Sequence, residues 1–102
     1  MASFEVVLSS KAHTDLTECV AFVLRVSKEA AQDLANQIFG ALGSLAEFPE
    51  RYPVFNMSKA VSFIVRKQTI GKRYIALFGV EGNKVIVFRI LDTRRKCDCL
   101  LY

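Results

Sequence analysis

The side chains best suited to chemistry are cations concentrated in the second half of the chain. Residues 1–58 hold four basic and seven acidic side chains, a net charge of −3, whereas residues 59–102 hold ten basic and three acidic ones, a net charge of +7. An asymmetry of this size favours a polyanionic ligand or an acidic partner over a merely solvated face. The candidates for binding phosphate or another anion are Arg66, Lys67, Lys72, Arg73, Arg89, Arg94, Arg95 and Lys96.

Arg89 is the most informative of these cations, because it interrupts an otherwise apolar run. Strict alternation along a strand places it on the same face as Val85, Val87 and Leu91. Burying an unpaired guanidinium is costly. Arg89 is therefore expected to meet either an external anion or a buried carboxylate such as Glu5 or Asp92.

Other functional classes find little support. Cys97 and Cys99 form a Cys-x-Cys pair without the two further ligands that zinc needs, so we expect no metal site and no cofactor. The longest apolar run, residues 19–24, has six residues against the roughly 20 that cross a bilayer. The first residues, 1–5, lack the features of a signal peptide. We expect a cytoplasmic protein without a membrane partner.

Hydrophobic periodicity predicts an α+β fold of order β-α-α-β-β-β. An antiparallel helical hairpin should pack on one face of a small, largely antiparallel sheet, and residues 1–102 should form a single domain. The last strand is almost continuously apolar and is expected to be central. The predicted elements are a strand over 4–8, helices over 11–26 and 28–47, and strands over 61–66, 74–80 and 84–91.

The order and spacing of these landmarks resemble the RelE/ParE toxin superfamily along essentially the whole chain. An Ala-x-x-Asp-Leu step (Ala12–Leu16) follows the opening strand, and the helical hairpin closes on Phe48–Pro53. Arg73–Phe78 resembles the family's "Arg-(Tyr/Ile)…Tyr-x-Val" strand. Val85–Arg95 resembles its "Val-x-Ile-x-Arg-Ile-Leu-His-x-Arg-Arg" finish.

The resemblance implies a RelE/ParE-like toxin of a type II toxin–antitoxin module that arrests growth. A cognate acidic antitoxin would hold it inactive in a hetero-oligomer, covering Arg66, Arg73, Arg94 and Arg95. RelE-like members cut messenger RNA on the ribosome, whereas ParE-like members inhibit DNA gyrase without a known catalytic site. The basic cluster favours the ribosome-dependent endoribonuclease. The alternatives are a gyrase inhibitor and a degenerate toxin that only binds antitoxin.

Metal-free RNA cleavage needs a base for the 2′-hydroxyl, an acid for the leaving group and cations around the phosphate. Asp92 stands at the family's histidine position, and His13 is expected to be a surface residue. The lysines are then the candidates for the general base. The catalytic set that this hypothesis names is Arg66, Arg73, Arg89, Arg94 and Tyr102, the last stacking on a base as in RelE-like chains. Lys67, Lys72, Arg95 and Lys96 would bind the nucleic acid.

Overall fold

The fold is a helical hairpin on one face of a sheet, in the predicted order of elements. The computed structural model describes residues 3–55 and 64–93. Within them the sheet has the strand order β1-β4-β3-β2, with β1 parallel to β4 and the other neighbours antiparallel. The α+β prediction is therefore confirmed. The elements are β1 (Glu5–Leu8), α1 (Ser10–Leu24), α2 (Lys28–Ser44), a 3-10 turn (Pro49–Arg51), β2 (Arg66–Ile70), β3 (Tyr74–Glu81) and β4 (Lys84–Asp92).

Serine side chains start both helices. Ser9 accepts a hydrogen bond from the Ala12 amide at 3.0 Å, and Ser27 accepts one from the Ala30 amide at 3.1 Å, which satisfies amides that the first turn leaves open. Helix α2 ends at Ser44 rather than at the predicted Glu47. The chain then reverses, because Phe48 adopts left-handed backbone angles (φ 51°) directly before a proline.

The interior strand β4 departs from strict alternation. An irregularity in the β3–β4 register pairs Leu77 with Arg89 but Phe78 with Val87, so Phe88 is an extra residue on β4. Val87 belongs to the core under the helices, whereas Leu91 belongs to a smaller cluster that also contains Leu77. The prediction that Arg89 shares a face with Val85, Val87 and Leu91 is wrong for the two valines, because the bulge shifts the alternation by one residue. Leu91, two residues beyond Arg89 and after the bulge, stays on the side of Arg89.

Strand β2 lies further along the chain than predicted. Residues 61–63 fall outside the described part of the chain, and Ile64 and Val65 precede the strand. The β-branched alternation over 61–66 suggested a strand there, yet Arg66–Ile70 is the segment that pairs with β3. A turn at Gly71, whose φ is +61°, returns the chain directly into β3.

The main core fills the space between the hairpin and the sheet. Leu16 of α1 and Ile38 of α2 meet Phe78 and Val87 of the sheet, and all four are buried. Burial of such side chains contributes about 1.5–3 kcal/mol each and fixes the helices on the strands. Among the described residues, no helix is long and apolar enough to cross a membrane.

Candidate functional site

The cations predicted to share one site lie at separate places on the sheet. Arg66 begins β2, whereas Arg73 follows the turn at the other end of that strand. Five strand residues span about 16 Å at about 3.3 Å each. The backbones of Arg66 and Arg73 are therefore too far apart for both arginines to bind one phosphate group. Lys67 and Arg89 stand in one row across the sheet but are separated by β3, which sets their backbones roughly 10 Å apart.

The remaining candidate residues are either outside the described part of the chain or exposed on the surface. Arg94, Arg95, Lys96 and Tyr102 lie outside the described residues. His13 is exposed near the start of α1, which confirms that it is a surface residue. Lys72 and Arg73 are exposed in the turn between β2 and β3.

Arg89 forms an ion pair with Asp15 of helix α1. Its Nε donates to Asp15 Oδ2 at 2.7 Å and its Nη2 donates to Oδ1 at 3.1 Å, which is the bidentate geometry of a strong pair. The two side chains are only 13% and 12% exposed. The sequence predicted that Arg89 could meet a buried carboxylate, but the candidates were Glu5 and Asp92, and Asp15 was missed. The available signal was the Ala-x-x-Asp-Leu step, whose aspartate is this residue.

The position of the pair follows from the way β1 ends. The register of β1 stops with Leu8 opposite Val87, so among the described residues the rest of β4 has no strand on its β1 side. The Ser9 hydroxyl donates to the carbonyl of Phe88 at 3.0 Å, and Asp15 Oδ2 accepts the amide of Ile90 at 3.0 Å. Helix α1 thereby supplies the hydrogen-bonding partner that a further strand residue would have given.

A small cavity of ≈ 120 Å³ lies beside this pair. Besides Asp15 and Arg89, its lining includes the carboxylates of Glu18 and Asp92 and the partly exposed ring of Phe22. Among the described residues, the lining holds three carboxylates against one guanidinium, which makes this part of the cavity acidic. Such a site repels a phosphate group rather than attracting it.

A second polar cluster lies where the chain after α2 reaches the edge of β2. The Tyr52 hydroxyl is 3.3 Å from Ser44 Oγ, and it accepts hydrogen bonds from Arg51 Nη2 at 3.2 Å and from Gln68 Nε2 at 3.4 Å. Gln68 is buried in β2 and also donates to the carbonyl of Ala41 at 2.7 Å. This group of residues, Tyr52, Ser44, Gln68 and Arg51, is called the Tyr52 cluster below.

Two guanidinium groups converge on Tyr52. Arg66 Nη1 donates to the Tyr52 carbonyl at 2.8 Å, and the Arg51 guanidinium carbon lies 5.1 Å from the centre of the ring. The hydrogen bond with Ser44, followed by the donors and charge of Arg51 and the Gln68 amide, lowers the pKa of the Tyr52 phenol below 10.0 in spite of its partial burial. Sequence reasoning did not single out Tyr52 as a functional residue.

Comparisons with known proteins agree on one family. The model of the family described as ParE toxin of the type II toxin–antitoxin system parDE matches residues 6–97. A solved structure titled "Chromosomal ParDE TA system from P. aeruginosa" is similar with a TM-score of 0.70 and 21% sequence identity, over 88% of this chain and 96% of that chain. Among the curated proteins, none matches this sequence significantly.

Proposed function

This chain belongs to the ParE toxin family of type II toxin–antitoxin systems, and we propose that it arrests growth by binding and inhibiting DNA gyrase rather than by cutting RNA. Membership of that family makes it the toxin partner of an antitoxin. Two points support gyrase as the target. ParE-like members of the superfamily inhibit DNA gyrase, and Arg89 is paired with a carboxylate.

The second point is the neutralised state of Arg89. A guanidinium that stabilises a phosphate in a transition state must offer free donors and uncompensated charge. Arg89 gives its Nε and an Nη2 proton to Asp15, and the neighbouring cavity adds two more carboxylates. Arg66 and Arg73 lie at opposite ends of β2, so they do not together take over the binding of a phosphate from Arg89. A binding inhibitor needs no such constellation, so this geometry supports inhibition by binding.

The direct test is DNA supercoiling by purified gyrase with and without the purified chain. Inhibition that increases with toxin concentration is the expected result, and the antitoxin should reverse it. In parallel, primer extension on a translated message should reveal no cuts at codon positions. Intact supercoiling together with codon-position cleavage would reject the gyrase proposal.

Ribosome-dependent RNA cleavage is the second candidate function, and the Tyr52 cluster is the observation that favours it. A phenol with a lowered pKa beside the Arg51 guanidinium, with the Arg66 guanidinium at the backbone carbonyl of the same residue, supplies a general base and phosphate-binding charge. In this proposal Arg66 and Arg51 act next to Tyr52. Arg94 and Tyr102, which the sequence predicted as catalytic residues, remain in the catalytic set of this second proposal.

The two candidates respond differently to one substitution. If the chain cleaves RNA at the Tyr52 cluster, Tyr52→Phe should abolish codon-position cuts while the folded protein remains. If the chain inhibits gyrase, Tyr52→Phe should leave both growth arrest and inhibition of supercoiling near the level of the unaltered chain. Thr69→Val, which removes an exposed hydroxyl from the neighbouring strand β2, is the matched control.

A further inference from the structure

A groove of ≈ 350 Å³ lies where the turn between β2 and β3 approaches the helical hairpin. Two exposed cations, Lys72 and Arg73, stand on its sheet side, and the exposed side chains of Asp33 and Gln37 stand on its helix side. Its charged residues differ from those of the Asp15–Arg89 cavity and of the Tyr52 cluster, so the groove is a third place where a ligand can bind. The apolar part of its lining is formed by Val23, Ala30, Leu34, Ile70 and Tyr74.

The two cations of this groove differ from Arg89 in their pairing. Within residues 3–55 and 64–93, Arg89 forms an ion pair with Asp15, whereas neither Lys72 nor Arg73 forms one. An anion that enters the groove therefore displaces no carboxylate from either side chain. Lys72 and Arg73 offer both their charge and their donors to a ligand.

The backbone that carries the two cations is fixed on both sides of the turn. Gly71 adopts a φ of +61° and lies so close to helix α2 that a Cβ atom there would meet Gln37 Nε2 at 2.5 Å. The amide of Thr93 donates to the Arg73 carbonyl at 2.6 Å. A ligand therefore finds the backbone of the two cations already positioned, which reduces the entropy lost on binding.

We propose that this groove is a binding site for a small nucleotide, a nucleoside 5′-monophosphate or diphosphate. The phosphate groups lie against Lys72 and Arg73, and the base packs on the apolar floor between α2 and the end of β2. The Asp33 carboxylate accepts hydrogen bonds from the ribose hydroxyls. The inference does not depend on whether the target of the toxin is gyrase or RNA.

The mixed lining favours this class of ligand over simpler anions. Sites for small molecules occupy about 300–1,000 Å³, and the groove falls within that range. Inorganic phosphate would use the two cations but would leave the apolar floor in contact with water. A fatty acid would cover the floor but offers no donor to Asp33. A nucleotide combines a charged group, a flat apolar body and hydroxyl donors in one molecule.

A free nucleotide also fits the groove better than a nucleic-acid strand does. Within a strand every sugar has a phosphate on both sides, so one of the two phosphates would approach the Asp33 carboxylate and be repelled. A free nucleotide carries its charge at one end only. Its ribose hydroxyls, which can donate as well as accept, are then available to Asp33.

The test measures the dissociation constant of ADP for the purified full-length chain by isothermal titration calorimetry, without divalent metal. Lys72→Gln combined with Arg73→Gln should weaken binding by roughly tenfold or more, because both phosphate contacts are lost. Lys84→Glu is the matched control, since Lys84 is an exposed cation at the opposite end of β3, and both variants lower the net charge of the chain by the same amount. That control should bind ADP within about twofold of the unaltered chain.

Fragments of the ligand test each part of the assignment. ADP should bind at least roughly tenfold more tightly than pyrophosphate or adenosine, because each fragment uses only part of the groove. The unaltered chain should also prefer ADP to 2′,3′-dideoxy-ADP, and Asp33→Ala should remove that preference. All the altered positions are exposed, so circular dichroism and melting curves should match those of the unaltered chain.

Four results would overturn the proposal. Equal dissociation constants for the double variant and the Lys84→Glu control would show that the two cations do not bind the phosphates. Pyrophosphate that binds as tightly as ADP would mean that the groove holds an inorganic anion without its nucleoside. A short single-stranded RNA that binds more tightly than ADP, and is lost in the double variant, would assign the groove to a strand. Amide chemical shifts of Asp33, Lys72 and Arg73 that ADP leaves unchanged would place its binding elsewhere.

Discussion

Beyond the last residue of β1, strand β4 forms the margin of the sheet, which is called the β4 edge here. There Asp15 and Arg89 meet through two charge-assisted hydrogen bonds, and the same carboxylate accepts the Ile90 amide. At the β2 edge, the Tyr52 hydroxyl instead shares three longer contacts of 3.2–3.4 Å with Ser44, Arg51 and Gln68. Both contacts tie the helical layer to the sheet. They differ in how completely the polar groups are satisfied.

The first contact uses its polar atoms fully, because the Asp15 carboxylate binds a guanidinium and an amide in a nearly closed environment. The second leaves one buried acceptor open: within the described residues Gln68 Oε1 has no hydrogen-bond partner. A fully paired buried charge resists change, whereas a network with one buried acceptor left open can rearrange. Ligand chemistry is therefore easier to accommodate at the β2 edge than at Arg89.

The largest effect is expected at the ion pair. Arg89→Met keeps much of the side-chain volume but strands the Asp15 carboxylate, so the free energy of unfolding should fall by about 3 kcal/mol. Urea denaturation measures this change, with Lys84→Met on the exposed end of β4 as the control. Adding Asp15→Asn to Arg89→Met should recover part of the loss, because no buried charge then lacks a partner. Unchanged stability with lost toxicity would instead make Arg89 a functional anion-binding residue.

The ion pair also marks the limit of what the sequence could predict. Hydrophobic periodicity predicted the two helices and the strands β3 and β4, because that signal is local. Asp15 and Arg89 are 74 positions apart, and their meeting depends on where β1 stops and on the bulge at Phe88. Neither feature leaves a local signature in the sequence. The requirement for a buried carboxylate was predictable. The Ala-x-x-Asp-Leu step marked Asp15, but nothing in that step connects it to Arg89.

Strand β2 was misplaced for a related reason. Its residues, Arg66–Ile70, include two cations and a glutamine, which resemble an exposed segment more than a strand. Gln68 is nevertheless buried, because its amide reaches the Ala41 carbonyl at the end of α2. The Tyr52 cluster was missed together with the strand, since its members come from α2, the 3-10 turn and β2.

A smaller loss of stability is expected when the Tyr52 hydroxyl is removed. Tyr52→Phe keeps the edge-to-face contact with Phe78, whose ring centre lies 5.7 Å away at 88°. Only the hydroxyl's hydrogen bonds are lost, so the free energy of unfolding should decrease by about 1 kcal/mol. Thermal and urea unfolding should agree, and Thr69→Val on the exposed face of β2 should change little. A loss as large as that of Arg89→Met would contradict the view that the two edges differ.

A still smaller change is expected at the buried amide. Gln68→Met removes the hydrogen bonds that the amide donates to Ala41 and Tyr52, but it also removes the unpartnered Oε1 from the interior. The two effects oppose each other, so the free energy of unfolding should change by less than about 1 kcal/mol. Gln32→Met, at an exposed position of α2, is the control. Strong destabilisation would mean that Oε1 has a partner in the folded protein, and the β2 edge would then be as fully satisfied as the β4 edge.

The smallest expected effect is on the pH dependence of stability, which the Tyr52 phenol gives to the β2 edge. The pKa of Tyr52 is lowered below 10.0 in the folded protein, first by Ser44 and then by the donors of Arg51 and Gln68, whereas in the unfolded chain it returns to about 10. A lowered pKa means that folding favours the phenolate. The stabilisation it gives is therefore fully present above pH 10, declines as the pH falls and is lost below the folded-state pKa.

The stability difference between the unaltered chain and Tyr52→Phe should consequently widen as the pH approaches 10 from below. Tyrosinate absorbance, taken as the difference between these two proteins, reports the titration of Tyr52 directly. Ser44→Ala should move that titration back towards 10 by more than Arg51→Gln does, because the Ser44 hydrogen bond is the larger cause and Arg51 is exposed to solvent. A Tyr52 titration at or above 10 in the unaltered chain would remove both this pH dependence and the general base on which RNA cleavage at the β2 edge depends.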